Sequence, residues 1–156
     1  MTNPEPAKPI RSRATLFGHP VHPMLVHFPV AALLGVVLAD VAFLVLGDLF
    51  WARAGVWLAG VGTVGGWCAT IPGAIDLFTV ARIRRLITAW CHALLAVMML
   101  SLASLNWVIR LLPDHGVGMQ PWAFYLSLLT AVVISGASWL GGQLVYHHRV
   151  AVDPGP

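Results

Sequence analysis

Four continuous apolar runs limit what this chain can become: roughly Met24–Leu46, Ala54–Leu77, Leu86–Leu112 and Pro121–Tyr146. A helix needs about 20 apolar residues to cross a bilayer, and every run reaches that length. None alternates apolar with polar, which argues against membrane strands. Composition agrees. Of the 156 residues, 58% are hydrophobic and 10% charged, against about 25% charged in a soluble domain. The expected fold is all-α, a four-helix transmembrane up-and-down bundle. It should occupy residues 18–149, after a Pro-rich polar tail over 1–17 expected to be disordered, and before a short tail over 150–156. The first run is too long for the apolar region of a signal peptide. Cys68 and Cys91 both fall inside helices and are expected to be small buried side chains rather than a disulfide.

Charge orients the bundle. Four spans put both ends of the chain and the second loop on one side, which carries Lys8, Arg11, Arg13, Arg82, Arg84, Arg85 and Arg149. The other side carries Arg53 and Arg110. The positive-inside rule places both termini in the cytoplasm. Trp51, Trp57, Trp107 and Trp122 then fall near the outer interface and Trp90 near the inner one.

This orientation gathers the histidines. His19, His22 and His27 open the first helix, and His147 and His148 close the fourth. His92 lies about 9 Å into the third at 1.5 Å per residue. Asp76 ends the second helix on the same side, and only His115 is on the other. In the second helix, Gly55, Ala59, Gly62, Gly66, Ala69 and Gly73 form one small-residue face that continues to Asp76. The third presents His92, Ala96, Met99, Ala103, Asn106 and Arg110. The fourth is expected to face inward through Ser127, Ala131, Ser135, Ser138, Gly142 and Tyr146. The first is expected to do so through Phe28, Ala32, Gly35, Ala39 and Ala42, with His27 about 100° off that stripe. Apart from the HP-x-HP unit at His19–Pro23, no motif repeats. Asp40 and Arg110 lie toward the outer end, where a pair across the bundle would satisfy both, with Asn106 joining.

The opening GHPVHPMLVHFP (Gly18–Pro29), PGAID (Pro72–Asp76), CHALL (Cys91–Leu95) and the closing WLGGQLVYHH (Trp139–His148) resemble a bacterial membrane family catalogued as domain of unknown function 2231. The resemblance implies a four-helix membrane domain in the bacterial cytoplasmic membrane. Its polar positions fall on His19, His22, His27, Asp76, His92, Tyr146 and His148. Some members are joined to Rieske-type iron–sulfur domains, which implies electron transfer. The chain departs from the family where an Asn is common (here Ala96), where a Glu is common (Gln143), and where Arg-His is common (His147-His148).

Haem b is the sharpest functional reading. Haem iron in a membrane bundle takes two imidazoles at similar depth on different helices. His27 and His92 meet that condition; as a second reading, His19, His22 and His27 with Asp76 and His92 could supply a nitrogen-and-oxygen site for a zinc, copper or iron ion. His22, Asp76 and Tyr146 would complete the pocket, and Arg82 and Arg85 could pair with propionates. The redox partner would be an iron–sulfur protein or a quinone. Three other readings stand beside it: a metal-ion-binding or transport protein, a proton relay through His92, Asp76 and Tyr146, and a structural subunit without cofactor. In the plainer accounts His22 caps the first helix ahead of Pro23, Asp76 pairs with Arg82 or Arg85, and His19, His147 and His148 are interfacial. No phosphate-binding loop, hydrolytic triad order or nucleic-acid surface is present. The lipid bilayer is the one obligatory partner, and a homo-oligomer stays open.

Overall fold

The computed structural model describes residues 8–112 and 121–152. His115 falls outside them. A two-residue hairpin, β1 (Thr15–Leu16) and β2 (His19–Pro20), leads into α1 (Val21–Leu46). Then follow α2 (Leu49–Thr79), the short α3 (Ala81–Arg84), α4 (Ile87–Leu111) and α5 (Pro121–Gly142). Among the described residues, four helical segments are long and apolar enough to cross a membrane: Val21–Leu46, Leu49–Thr79, Ile87–Leu111 and Trp122–His147.

The chain punctuates its own helices. Gly47 ends α1 in the left-handed region (φ 68°), where its N–H donates to the Phe43 carbonyl. Asp48 then caps α2, its Oδ1 accepting from the Phe50 N–H at 2.8 Å. So short a link forces α1 and α2 into a tight antiparallel hairpin. α4 and α5 make the second such pair, and the two pairs meet through α2 with α4 and α1 with α5.

Small residues set the spacing. A Cβ at Gly62 would lie 2.6 Å from Leu33 Cγ, one at Gly60 would lie 2.9 Å from the Trp107 ring, and Gly66 is pressed against Leu100. Leu33, Met99, Leu100, Ala103 and Ile134 form the central core. The inward faces expected for α2 and α4 are the observed ones. For α5 the buried residues are Ala123, Ser127, Thr130, Ile134 and Ala137, whereas Ser135 and Ser138 are exposed. Serines in a membrane helix need not face the bundle, because each hydroxyl can return to its own backbone, as Ser135 does to the Ala131 carbonyl. In α1, Ala32 and Ala39 of the expected stripe are buried, beside Pro29, Leu33, Val36 and Asp40, and Phe28 points outward.

Two further expectations are corrected. Residues 8–17 form a strap with defined contacts: Ile10 is buried with Leu77, Ile83 and Ala89, and it exchanges backbone hydrogen bonds with Arg149 and Ala151. Burial of that isoleucine gives the segment the apolar anchor that a disordered tail lacks. Cys68 and Cys91 are free thiols but lie on the outer surface, where lipid accepts them as readily as the core would. Trp107, near the Leu111 end of α4, packs on Gly60.

Candidate functional site

The inward stripe of α1, followed back from Asp40 through Val36, Leu33 and Pro29 in steps of three and four, reaches Val26 and His22, not His27. His22 accordingly lies inside the bundle and His27 is exposed. The helix starts one residue before His22, with Pro20 at the cap position and no side-chain cap bond. So His22 is not a cap but a second-position side chain turned inward.

Its Nδ1 is 2.7 Å from the Ala69 carbonyl of α2, and the ring rests on Gly73, where a Cβ would be 2.9 Å from Nδ1. His92 of α4 repeats the arrangement against α5. Its Nδ1 is 2.9 Å from the Ala137 carbonyl, and a Cβ at Gly141 would be 3.3 Å from its Cε1. A carbonyl only accepts, so each Nδ1 carries a proton and donates; in the neutral ring Nε2 is then the lone-pair nitrogen. The rings meet edge-on across the seam between the helix pairs, centroids 6.2 Å apart and planes at 82°.

The other candidates are not part of this pair. Asp76 is buried, and the strap holds it. It accepts from Ser12 Oγ at 2.5 Å, from the Arg13 N–H at 2.7 Å and from the Ala14 N–H at 3.1 Å. Arg82 donates to the Lys8 and Pro9 carbonyls at 2.9 and 3.0 Å, so it ties down the strap rather than pairing with Asp76. Arg85 is exposed at the same end. Tyr146, in the π turn Gln143–His147, is 88% exposed: it lies nine residues beyond Ala137, about half a turn from the buried face of α5. His19 and His147 are exposed, and His148 lies 3.3 Å from the Thr88 hydroxyl. Among the described residues no three His, Cys, Asp or Glu side chains come together as a metal-binding group.

At the other end of the bundle the expected ion pair is present. Arg110 Nη1 and Nη2 donate to the two Asp40 oxygens at 2.9 and 2.7 Å. Asn106 accepts from Arg110 Nε at 3.0 Å, and Ser127 donates to Asp40 at 2.7 Å. Gly55 completes the enclosure, since a Cβ there would be 2.8 Å from Nη1. The sequence pointed to Asp40, Arg110 and Asn106. It did not point to Ser127, whose inward face the expected α5 stripe shared without indicating a partner.

Four apolar helices with satisfied polar groups at both ends of their core define a polytopic integral membrane protein. The chain belongs to the family described as predicted membrane protein (DUF2231), whose model matches residues 18–154. No curated protein and no solved structure matches it.

Proposed function

We propose that this protein is an electron-transfer component of the bacterial cytoplasmic membrane that holds haem b iron between His22 and His92. One observation carries the reading: two imidazoles from different helix pairs come within 6.2 Å of each other with both Nδ1 atoms tied to backbone. Anchoring Nδ1 in this way is how metal-ligating histidines are commonly oriented. Two metal–nitrogen bonds of about 2 Å each, with two imidazole half-widths, span about 6 Å. Donor number favours haem over a bare ion. Zinc sites take three or four protein ligands, whereas two imidazoles are all that a haem iron needs from the protein. The macrocycle would stand in the seam between the α1–α2 and α4–α5 pairs. His22 replaces His27 in this reading, and Arg82 has no part in it.

The strap end carries Lys8, Arg11, Arg13, Arg82, Arg84, Arg85 and Arg149, which supports a cytoplasmic location for both termini. A quinone or an iron–sulfur protein would be the redox partner.

Absorption spectra of membranes overexpressing the protein test the reading. A Soret band is expected that His22→Ala and His92→Ala remove and His27→Ala keeps. A colourless, iron-free preparation would overturn it, and elemental analysis of that sample would then read zinc or copper.

A further inference from the structure

The His22 and His92 environments match position by position. The spacing from His22 to Asp40 equals that from His92 to Arg110, and the spacing from Ala69 to Gly73 equals that from Ala137 to Gly141. A shift of 70 positions takes α1 onto α4. It pairs the buried Pro29 with Met99, Leu33 with Ala103 and Val36 with Asn106. A shift of 68 positions takes α2 onto α5, and every buried residue described in α5 lands on a buried one of α2. Those pairs are Gly55 with Ala123, Ala59 with Ser127, Gly62 with Thr130, Gly66 with Ile134, and Ala69 with Ala137.

Outward faces correspond as well. Leu38 and Val108 are both exposed, as are Val61 and Leu129, and Trp57 and Tyr125. The contacts obey the same operation, because α1 with α5 is the counterpart of α4 with α2. Both hairpins start at the same end, so the axis relating them runs along the bundle.

We propose that the chain is a tandem pair of helical hairpins related by a twofold axis along the bundle, and that His22 and His92 are the two equivalent donors of one site on that axis, positioned by Gly73 and Gly141. The site takes a centre that accepts two identical nitrogen donors from opposite sides, and it disfavours one that needs an imidazole and a carboxylate. The ligand class rests on the haem reading above; the twofold relation does not.

The opposite end of the axis shows why the copies must differ. Two identical hairpins would set like charges against each other at positions 40 and 110, whereas Asp40 and Arg110 attract. Divergence there locks the two halves of one chain together. The strap is a second departure: it docks on Asp76, whose counterpart in α5 and its π turn is Leu144.

Two measurements on the full chain separate the parts of the proposal. In a Cys68→Ala/Cys91→Ala background, spin labels at Leu38 and Val61 should give the same distance as labels at Val108 and Leu129. Unequal distances would overturn the twofold relation. 15N-histidine spectra of the cofactor-free protein should show Nδ1–H at both His22 and His92, and differing tautomers would overturn the equivalence of the donors. Haemin titration then reads the ligand class. Gly73→Ala and Gly141→Ala should each weaken uptake by about 10–100-fold, the range for residues that orient a metal ligand. A silent change at one glycine and a large loss at the other overturns their equivalence as positioning residues. Should the parent protein take up no haemin, the haem reading and its ligand class fall, while the distances and spectra decide the axis and the equivalence.

Discussion

Arg110 holds Asp40 through two parallel hydrogen bonds of 2.9 and 2.7 Å, with side-chain exposures of 5% and 0%. The pair joins α1 to α4 across the bundle, and Asn106 and Ser127 add hydrogen bonds to it. Removing one partner strands a buried charge, at a cost of about 3–5 kcal/mol. Arg110→Ala and Asp40→Ala are therefore expected to lower the melting temperature in detergent sharply. The double exchange Asp40→Arg/Arg110→Asp should recover much of the loss. Stability no better in the exchange than in either single variant would show that the pair is not what holds these helices.

Thr63 presents the opposite case. Its hydroxyl is buried in α2 and has no partner among the described residues. An unpaired buried hydroxyl costs about 1–3 kcal/mol, and valine has nearly the same shape. Thr63→Val should leave the fold intact and raise thermal stability by about 1 kcal/mol. A clear loss of stability in the same melting assay would mean that the hydroxyl has a partner, such as an internal water.

The apolar runs made the helices and their order legible, since a span in lipid must be a helix or a barrel strand and none of these runs alternates as a barrel strand does. The small-residue face of α2 and the polar stripe of α4 were legible for the same reason: Gly and Asn mark close approach or a partner. The α5 face was not, because its serines resemble an interior stripe while bonding their own helix. Choosing between His22 and His27 required one fact that the sequence held, namely that Asp40 must face Arg110. Counting back from Asp40 selects His22. The repeat was hidden because equivalent positions keep burial but neither size nor residue type, as in Gly66 and Ile134. Contacts from residues 8–14 to Asp76 were invisible to pattern reading, since backbone N–H groups leave no trace in side-chain identity.

Asp76 holds the strap through one hydroxyl and two backbone N–H groups. Hydrogen bonds to a charged acceptor contribute about 1.5–3 kcal/mol each, so Asp76→Ala should release residues 8–14 while the four spans stay folded. Limited trypsinolysis at Arg11 and Arg13 measures this directly. Cleavage is expected to be at least about tenfold faster than in the parent, which corresponds to about 1.4 kcal/mol. Ser12→Ala removes one contact of the three and should fall between. Equal cleavage rates in all three proteins would show that Ile10 and Arg82 hold the strap without Asp76.

Gly62 and Gly65 sit one turn apart on α2 and differ in what a methyl group would meet. At Gly62 a Cβ would lie 2.6 Å from Leu33 Cγ and 3.3 Å from the Leu33 backbone nitrogen, so both side chain and helix must yield. Overpacking of this kind costs about 1–3 kcal/mol. At Gly65 the nearest atom, Pro29 Cβ, is 3.8 Å away, an ordinary contact. There alanine adds packing and removes the glycine penalty of about 0.5–1 kcal/mol in a helix. Gly62→Ala should therefore lower the melting temperature and Gly65→Ala hold or raise it. The contrast depends on α1 and α2 being apposed along the face that Leu33 and Pro29 share, and a reversal of the two outcomes would require rotating α2 about its axis.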